Sequence, residues 1–231
     1  LKLSFRKRTV LSTHAGYGWL YNLKGRGLLP TFLRWALLGN DHILALAEAS
    51  RRELIALGLP ENRVSTFTYW VDQALFKPGP QAEARALLAW KPGFTLLFVG
   101  RHIEVKGIRT LLAVAERLPQ ARFVLAGDGP LAAYVAETAK RQPNVSYLGR
   151  TDNRKLPDLY RAADVLCVPS QYEEGFGRII LEALSCGCPV IGARRGGIPE
   201  AMDESVGLLV EPAEAHLYAA VQRLLDAPAT R

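Results

Sequence analysis

From residue 94 onward, short apolar runs alternate with segments of helical spacing, and that alternation leaves few folds open. TLLFVG (95–100), ARFVLAG (121–127), VSYLG (145–149), DVLCVPS (164–170), PVIGA (189–193) and VGLLV (206–210) read as strands. Between and after them, IRTLLAVAERL (108–118), LAAYVAETAKRQ (131–142), LPDLYRAA (156–163), GFGRIILEALSCG (175–187) and HLYAAVQRLLD (216–226) read as helices. Strands that alternate with helices at this pace form βαβ units and a parallel sheet. The strand runs are continuously apolar, as expected when helices cover both faces. The expectation for 94–231 is therefore an α/β, Rossmann-like, doubly wound parallel sheet.

The first 75 residues predict the C-terminal part of a second domain of the same class. RTVLST (8–13) reads as a strand ending at His14, followed by a glycine-rich loop and an amphipathic helix near 31–39. HILALA (42–47) is a strand, ASRRELIALG (49–58) a helix and VSTFTY (64–69) a further strand. That is too few strands for a complete doubly wound domain, which predicts a chain that starts partway through one. Residues 76–93, with three prolines, are the expected linker.

Composition narrows the function classes. Hydrophobic residues make up 49% and charged residues 22% of the chain, a globular balance. No apolar run approaches the ~18 residues of a membrane-spanning helix, and no cleavable leader is recognisable. Three cysteines build no disulfide framework, so a reducing cytoplasm is the default compartment, and the Cys186-x-Cys188 pair lacks partners for a metal site. The net charge of +7 is uneven: residues 1–72 carry ten Lys/Arg against five Asp/Glu. No nucleic-acid motif accompanies that basic part. It suits a peripheral contact with an anionic membrane face or with phosphorylated ligands.

In open α/β sheets, ligands bind outside the carboxyl ends of the strands. Arg101 follows one such strand directly and Lys106 comes five residues later, a pair suited to offsetting the charge of a diphosphate. AGDGP (126–130) and GARRGGIPEAM (192–202) occupy two further exits, the latter with paired glycines and Glu200. Neither G-x-G-x-x-G nor G-x-x-x-x-G-K-[ST] occurs, so dinucleotide oxidoreductases and P-loop NTPases lose their sequence support. No D-x-D is present to hold a metal on a diphosphate. His14 is the best-placed titratable group of the first part, although an isolated histidine is more often structural. His42, His102 and His216 have no comparable position.

EEGFGRIILEALSCG (173–187) sets Glu174 and Glu182 eight residues apart around Gly175, Phe176 and Gly177. Were both on one helix, they would lie roughly 12 Å apart axially and about 80° apart in rotation. That is too far to share a proton and suits two acceptors for separate hydroxyls of one long ligand. Glycines and a helix start admit close backbone approach and an anionic group. Acidic residues also decorate first turns, but Glu182 interrupts the apolar series Ile179, Ile180, Ala183, Leu184.

These segments, in this order, resemble the retaining GT-B glycosyltransferases of the "glycosyl transferases group 1" class (family 4). The resemblance runs through YWVDQALFKPG (69–79), FVGRHIEVKG (98–107), VLAGDGP (124–130), YLGR (147–150), LYRAADVLCVPS (159–170), EEGFGRIILEALSCGCPVI (173–191), GGIPE (196–200) and VGLLVEP (206–212). It implies a donor-binding C-terminal domain and the end of an acceptor-side domain. Arg101 and Lys106 match the donor-phosphate residues, Glu174 the carboxylate facing the transferred sugar, and Glu182 the one facing the ribose. Gly175, Phe176 and Gly177 match the backbone near the sugar, and His14 the active-site histidine. The implied reaction moves a hexose from a UDP- or GDP-sugar to a glycan, lipid or small-molecule hydroxyl with retention, without a metal or other cofactor. Tyr69-Trp70 replaces the usual Asn-Gly, Ala47 stands where Ser is usual, and the family's early glycine-rich loop has no counterpart. A truncated enzyme is the expectation. A nucleotide-sugar epimerase and a non-catalytic binding fragment remain open.

Overall fold

The computed structural model describes residues 7–13 and 28–226. They form two compact units: residues 7–13 and 28–69 with 172–177 and 195–200, and residues 70–171 with 178–194 and 201–226.

The first unit holds a three-stranded parallel sheet, ordered β1 (Val10–Ser12), β2 (His42–Ala45), β3 (Val64–Thr66). Ile43 lies opposite both Leu11 and Val64. A small core of Leu37, Ile43, Ala45, Leu54, Leu59 and Val64 packs two helices, α1 (Leu28–Leu38) and α2 (Glu48–Ala56), onto the sheet. Each strand is shorter than its apolar run. Among the described residues, helix α1 already includes Leu28, ahead of the expected 31.

The second unit is built on six parallel strands: β4 (Thr95–Val99), β5 (Arg122–Ala126), β6 (Val145–Gly149), β7 (Val165–Val168), β8 (Val190–Ala193) and β9 (Gly207–Val210). Their spatial order is β6-β5-β4-β7-β8-β9, the doubly wound order that reverses direction between the first and fourth strands. All five residues of β4 are buried. Helix α4 (Ile108–Arg117) presents Ile108, Leu111, Leu112 and Ala115 to this core at helical spacing, and α9 (Glu214–Asp226) adds Leu217, Ala220, Val221 and Leu224. Each fully buried Leu or Ile contributes about 1.5–3 kcal/mol over an exposed one. The helices between these are α5 (Ala132–Arg141), α6 (Leu156–Ala162), α7 (Arg178–Ser185) and the short α8 (Ile198–Ala201).

Residues 76–93, expected as a linker, belong to the second unit. They contain α3 (Gln81–Leu87), bonded to the end of α6. Gln81 Nε2 donates to the Ala163 carbonyl (3.0 Å), and Arg85 Nε to that of Ala162 (2.9 Å). Asp164 ties this corner to the sheet by accepting from Arg85 (2.7 Å) and from the backbone N–H of Thr95 (2.7 Å). Prolines mark the ends of this segment without freeing it, because polar side chains bind carbonyls left open at a helix end.

Candidate functional site

The switch point of the second unit lies outside the carboxyl ends of β4 and β7. There the two exits are locked together. Gly107, at φ +72°, sits so close to the β7 exit that a Cβ would lie 2.1 Å from the Pro169 carbonyl oxygen. Gln171 donates its backbone N–H to the Val105 carbonyl (2.8 Å) and its Nε2 to Thr110 Oγ1 (2.8 Å). The loop carrying Arg101 and Lys106 is therefore held against the exit of β7. Arg101 is exposed and Lys106 half-buried on the turn Glu104–Lys106.

AGDGP buttresses this loop from the other side. Gly127, at φ +136°, would place a Cβ 1.8 Å from the Gly100 carbonyl oxygen, and Gly129 would place one 2.7 Å from that of His102. His102 binds the Asp128 carbonyl through its backbone N–H (2.8 Å) and accepts from Leu131 N–H (2.9 Å). Its ring is fully buried between Phe98 and Tyr147, with centroids 5.8 and 5.4 Å away. Neither ring nitrogen has a hydrogen-bond partner among the described residues. Nothing local in the sequence signals the burial of His102, which stands next to Arg101.

Burial pushes the His102 imidazole below its ordinary value, against the raising effect of Asp128. The unfolded chain takes up the proton near pH 6.5, and the fold only at lower pH. Stability is thus undiminished above the unfolded value and falls as pH drops through it toward the folded one. His102→Leu should remove this acid slope and add about 1–2 kcal/mol at neutral pH. Urea unfolding at pH 5.5 and 7.5 reads both effects; an unchanged slope would clear His102 of the cause.

Helix α7 begins at Arg178, not at Gly175, because Gly177 adopts a left-handed φ of +77°. Glu174 therefore precedes the helix, and the rise and rotation expected between it and Glu182 do not apply. Glu182 lies on the buried face beside Ile180 and Ala183, 2% exposed. Its Oε2 accepts from the Tyr160 hydroxyl (3.0 Å), and its Oε1 pairs with Arg178 Nε (3.2 Å) one turn earlier. Burial raises its pKa, with Tyr160 and then Arg178 opposing. Tyr160 is fully buried, and its own pKa is raised well above normal, by burial first and the Glu182 charge second. An ionised carboxylate has about four acceptor sites, so two partners leave Glu182 capacity for ligand hydroxyls.

Arg178 could have been found from its i, i+4 spacing to Glu182. Tyr160 could not, because it lies on another helix. Cys186 and Cys188, which flank this helix end, are buried free thiols pushed up by burial to about 11 and about 12. Such thiols are inert.

Glu174 to Gly177 cluster with the first unit. Glu174 is 7% exposed and accepts from the Tyr172 hydroxyl (2.8 Å). Phe176 is buried. The paired glycines pack directly on this loop: a Cβ on Gly196 would lie 2.2 Å from the Glu174 carbonyl oxygen, and one on Gly197 2.1 Å from that of Gly175. Gly197 N–H donates to the Glu174 carbonyl (2.8 Å), and Gly196 N–H to the Glu173 carboxylate. The structure thus brings Arg101 and Lys106 to one switch point and sets Glu182 in the same unit. His14 lies outside the described residues.

Cavities elsewhere in the second unit are unrelated to these groups. One of about 260 Å³ opens at Pro92–Phe94, Pro119 and Asn144, near the amino ends of β4 and β5. Another, of about 570 Å³, lies between β9 and α9. No described helix is long and apolar enough to cross a membrane.

Known proteins resemble this chain in sequence and in fold. The chain is 38% identical over 208 residues to D-inositol 3-phosphate glycosyltransferase 2 of Catenulispora acidiphila, covering 81% of this chain and 48% of that protein. It is 37% identical over 183 residues to D-inositol 3-phosphate glycosyltransferase of Mycobacterium sp. strain JLS, covering 74% and 41%. The chain thus spans about half the length of the curated relatives it matches. Among solved structures, Anabaena Alr3699/HepE in complex with UDP superposes with a TM-score of 0.83 at 25% identity, covering 98% of this chain and 65% of that one. Sucrose-phosphate synthase of Thermosynechococcus elongatus gives 0.84 at 28% identity, covering 99% and 61%. These likenesses bear out the expected α/β class, GT-B with Rossmann-like sheets. The model of the family "Glycosyl transferases group 1" matches residues 93–227, the whole span from β4 to α9, and the chain belongs to that family.

Proposed function

We propose that this chain carries the donor site of a glycosyltransferase that moves a hexose from a UDP- or GDP-sugar to an acceptor hydroxyl with retention. The observation that carries the proposal is the locked switch point, where the Arg101–Lys106 loop is bonded to the exit of β7. Arg101 and Lys106 offset the diphosphate charge, which grows as the bond from the anomeric carbon to the phosphate oxygen breaks. The new bond from the same carbon to the acceptor oxygen forms on the same face, and the acceptor proton passes to the leaving diphosphate. These two cations compensate the diphosphate in this reading, with no metal or other cofactor. Glu182 accepts from the ribose hydroxyls, and Glu174, with the Gly175–Gly177 backbone, faces the sugar. His14 is proposed to act near the reacting carbon.

HepE is described in complex with UDP and with UDP-glucose, which supports a nucleotide-sugar donor. The acceptor is a glycan, lipid or small-molecule hydroxyl, and the relatives named for inositol 3-phosphate favour a small polyol phosphate. The proposed setting is cytoplasmic, with peripheral contact to an anionic membrane face and no nucleic-acid partner. Exposed Phe32 and Trp35 on α1, beside Arg34, support that contact.

Calorimetric titration with UDP, GDP and their sugars tests the donor site. Arg101→Ala and Lys106→Ala should each weaken diphosphate binding about tenfold while changing nucleoside binding little. A folded chain that binds none of these ligands would overturn the reading. Product analysis without added acceptor separates transfer from epimerisation.

A further inference from the structure

We infer that Glu200 is a positioning residue that ties helix α2 to the loop carrying Glu174; the inference rests on the donor-site reading above. The first N–H groups of any helix lack intrahelical partners, and a Ser, Thr, Asp or Asn at the N-cap usually meets one. At the N-cap of α2 stands Ala47, in extended conformation with no side-chain bond to offer. Glu200 supplies the cap from a position 152 residues away: its Oε2 accepts from the Glu48 N–H at 2.6 Å and its Oε1 from the Ala49 N–H at 2.9 Å. A carboxylate at this end of a helix also meets the positive end of the helix dipole.

The segment that brings Glu200 there is the one that grips the Glu173–Gly177 loop. Gly196 and Gly197 donate to the Glu173 carboxylate and the Glu174 carbonyl, and no Cβ fits at either position. Between the grip and the cap lies only the turn Ile198–Ala201, anchored by the fully buried Ile198 and by the bond from Glu200 N–H to the Gly197 carbonyl (3.1 Å). Segment 195–200 is thus a short rigid clasp, fixed to α2 at one end and to the loop at the other. A local serine at position 47 would satisfy the helix equally well without touching the loop. The sequence instead leaves Ala47 silent and assigns the cap to Glu200, so that capping the helix also sets the loop.

Amide hydrogen exchange on the full chain separates a clasp from a mere cap. Glu200→Ala should speed exchange about tenfold at Glu48 and Ala49 and also at Gly197 and residues 173–177. Adding Ala47→Ser in that background should restore protection to the start of α2 and leave the loop fast. Restoration of both regions by Ala47→Ser, or a loop unaffected by Glu200→Ala, would overturn the inference. In parallel, UDP-glucose titration should show the double variant binding about tenfold more weakly than wild type. Binding equal to wild type would also overturn it. Failure of the wild type to bind any nucleotide sugar would overturn the donor-site reading instead, and exchange alone would then decide the clasp.

Discussion

Glu182→Gln is expected to leave the chain folded while its affinity for UDP or GDP falls tenfold or more. The carboxylate is 2% exposed among Ile180 and Ala183, and burial raises its pKa. A raised acid pKa means that the fold holds the proton more tightly than the unfolded chain does. The ionised form therefore weakens the fold as pH rises through the unfolded value, and the effect is complete above the folded one. Glutamine carries no such charge, and its carbonyl still accepts from Tyr160. Arg178, mostly exposed, turns its charge to water at little cost. The variant should accordingly differ least from wild type in acid and gain stability over it as pH rises through the unfolded value. A ribose presents two hydroxyl donors, and a carboxylate can accept both where an amide offers one oxygen. Thermal unfolding across that pH range and nucleotide calorimetry test the two halves. Full affinity in a folded Glu182→Gln would remove Glu182 from the ribose role.

Gly127→Ala should destabilise the six-stranded unit by more than about 3 kcal/mol. The new Cβ would lie 1.8 Å from the Gly100 carbonyl oxygen, at a φ of +136° that L-residues avoid. Neither neighbour can yield as a side chain would. Gly100 N–H is bonded to the Ala126 carbonyl (3.0 Å), and Gly127 N–H to that of Gly149 (2.8 Å), so the exits of three adjacent strands move together or not at all. Gly149→Ala is the control. Its φ of +68° imposes only about 1–2 kcal/mol of left-handed strain, because nothing lies within 4 Å of its Cβ. A Gly127→Ala protein that unfolds alongside the Gly149→Ala protein would show that the exit backbone can re-pack, and that close approach does not hold the Arg101 loop.

The placement of the residues proposed to hold the donor was largely legible. Arg101 and Lys106 were expected at a strand exit and stand there, and Glu182 is the buried break in the apolar face that its position among Ile179, Ile180 and Ala183 announced. Boundaries were less legible. Helix α7 was read through Gly175–Gly177, although only the left-handed Gly177 decides where it starts. Prolines at 78, 80 and 92 marked a linker, yet Arg85 and Asp164 bond that segment into the second unit. Nothing local announces an ion pair between residues 79 positions apart.

The sequence by itself determined the alternation of strand and helix, the parallel sheet buried on both faces, the strand exits where ligand groups could gather, and the membership of a glycosyltransferase family. All of these are written in short-range periodicity and in motifs a few residues long. Only the tertiary structure decided that β4 and β7 are neighbours, and hence that the Arg101–Lys106 loop is bonded to Gln171. It likewise decided that Tyr160 meets Glu182, that the His102 ring turns into the core, and that Glu200 caps a helix whose own N-cap is alanine. Periodicity tells a residue which face to bury, but not what it will be buried against. Partners 22 and 152 positions apart are chosen by strand order and close packing, which exist only once the chain has folded.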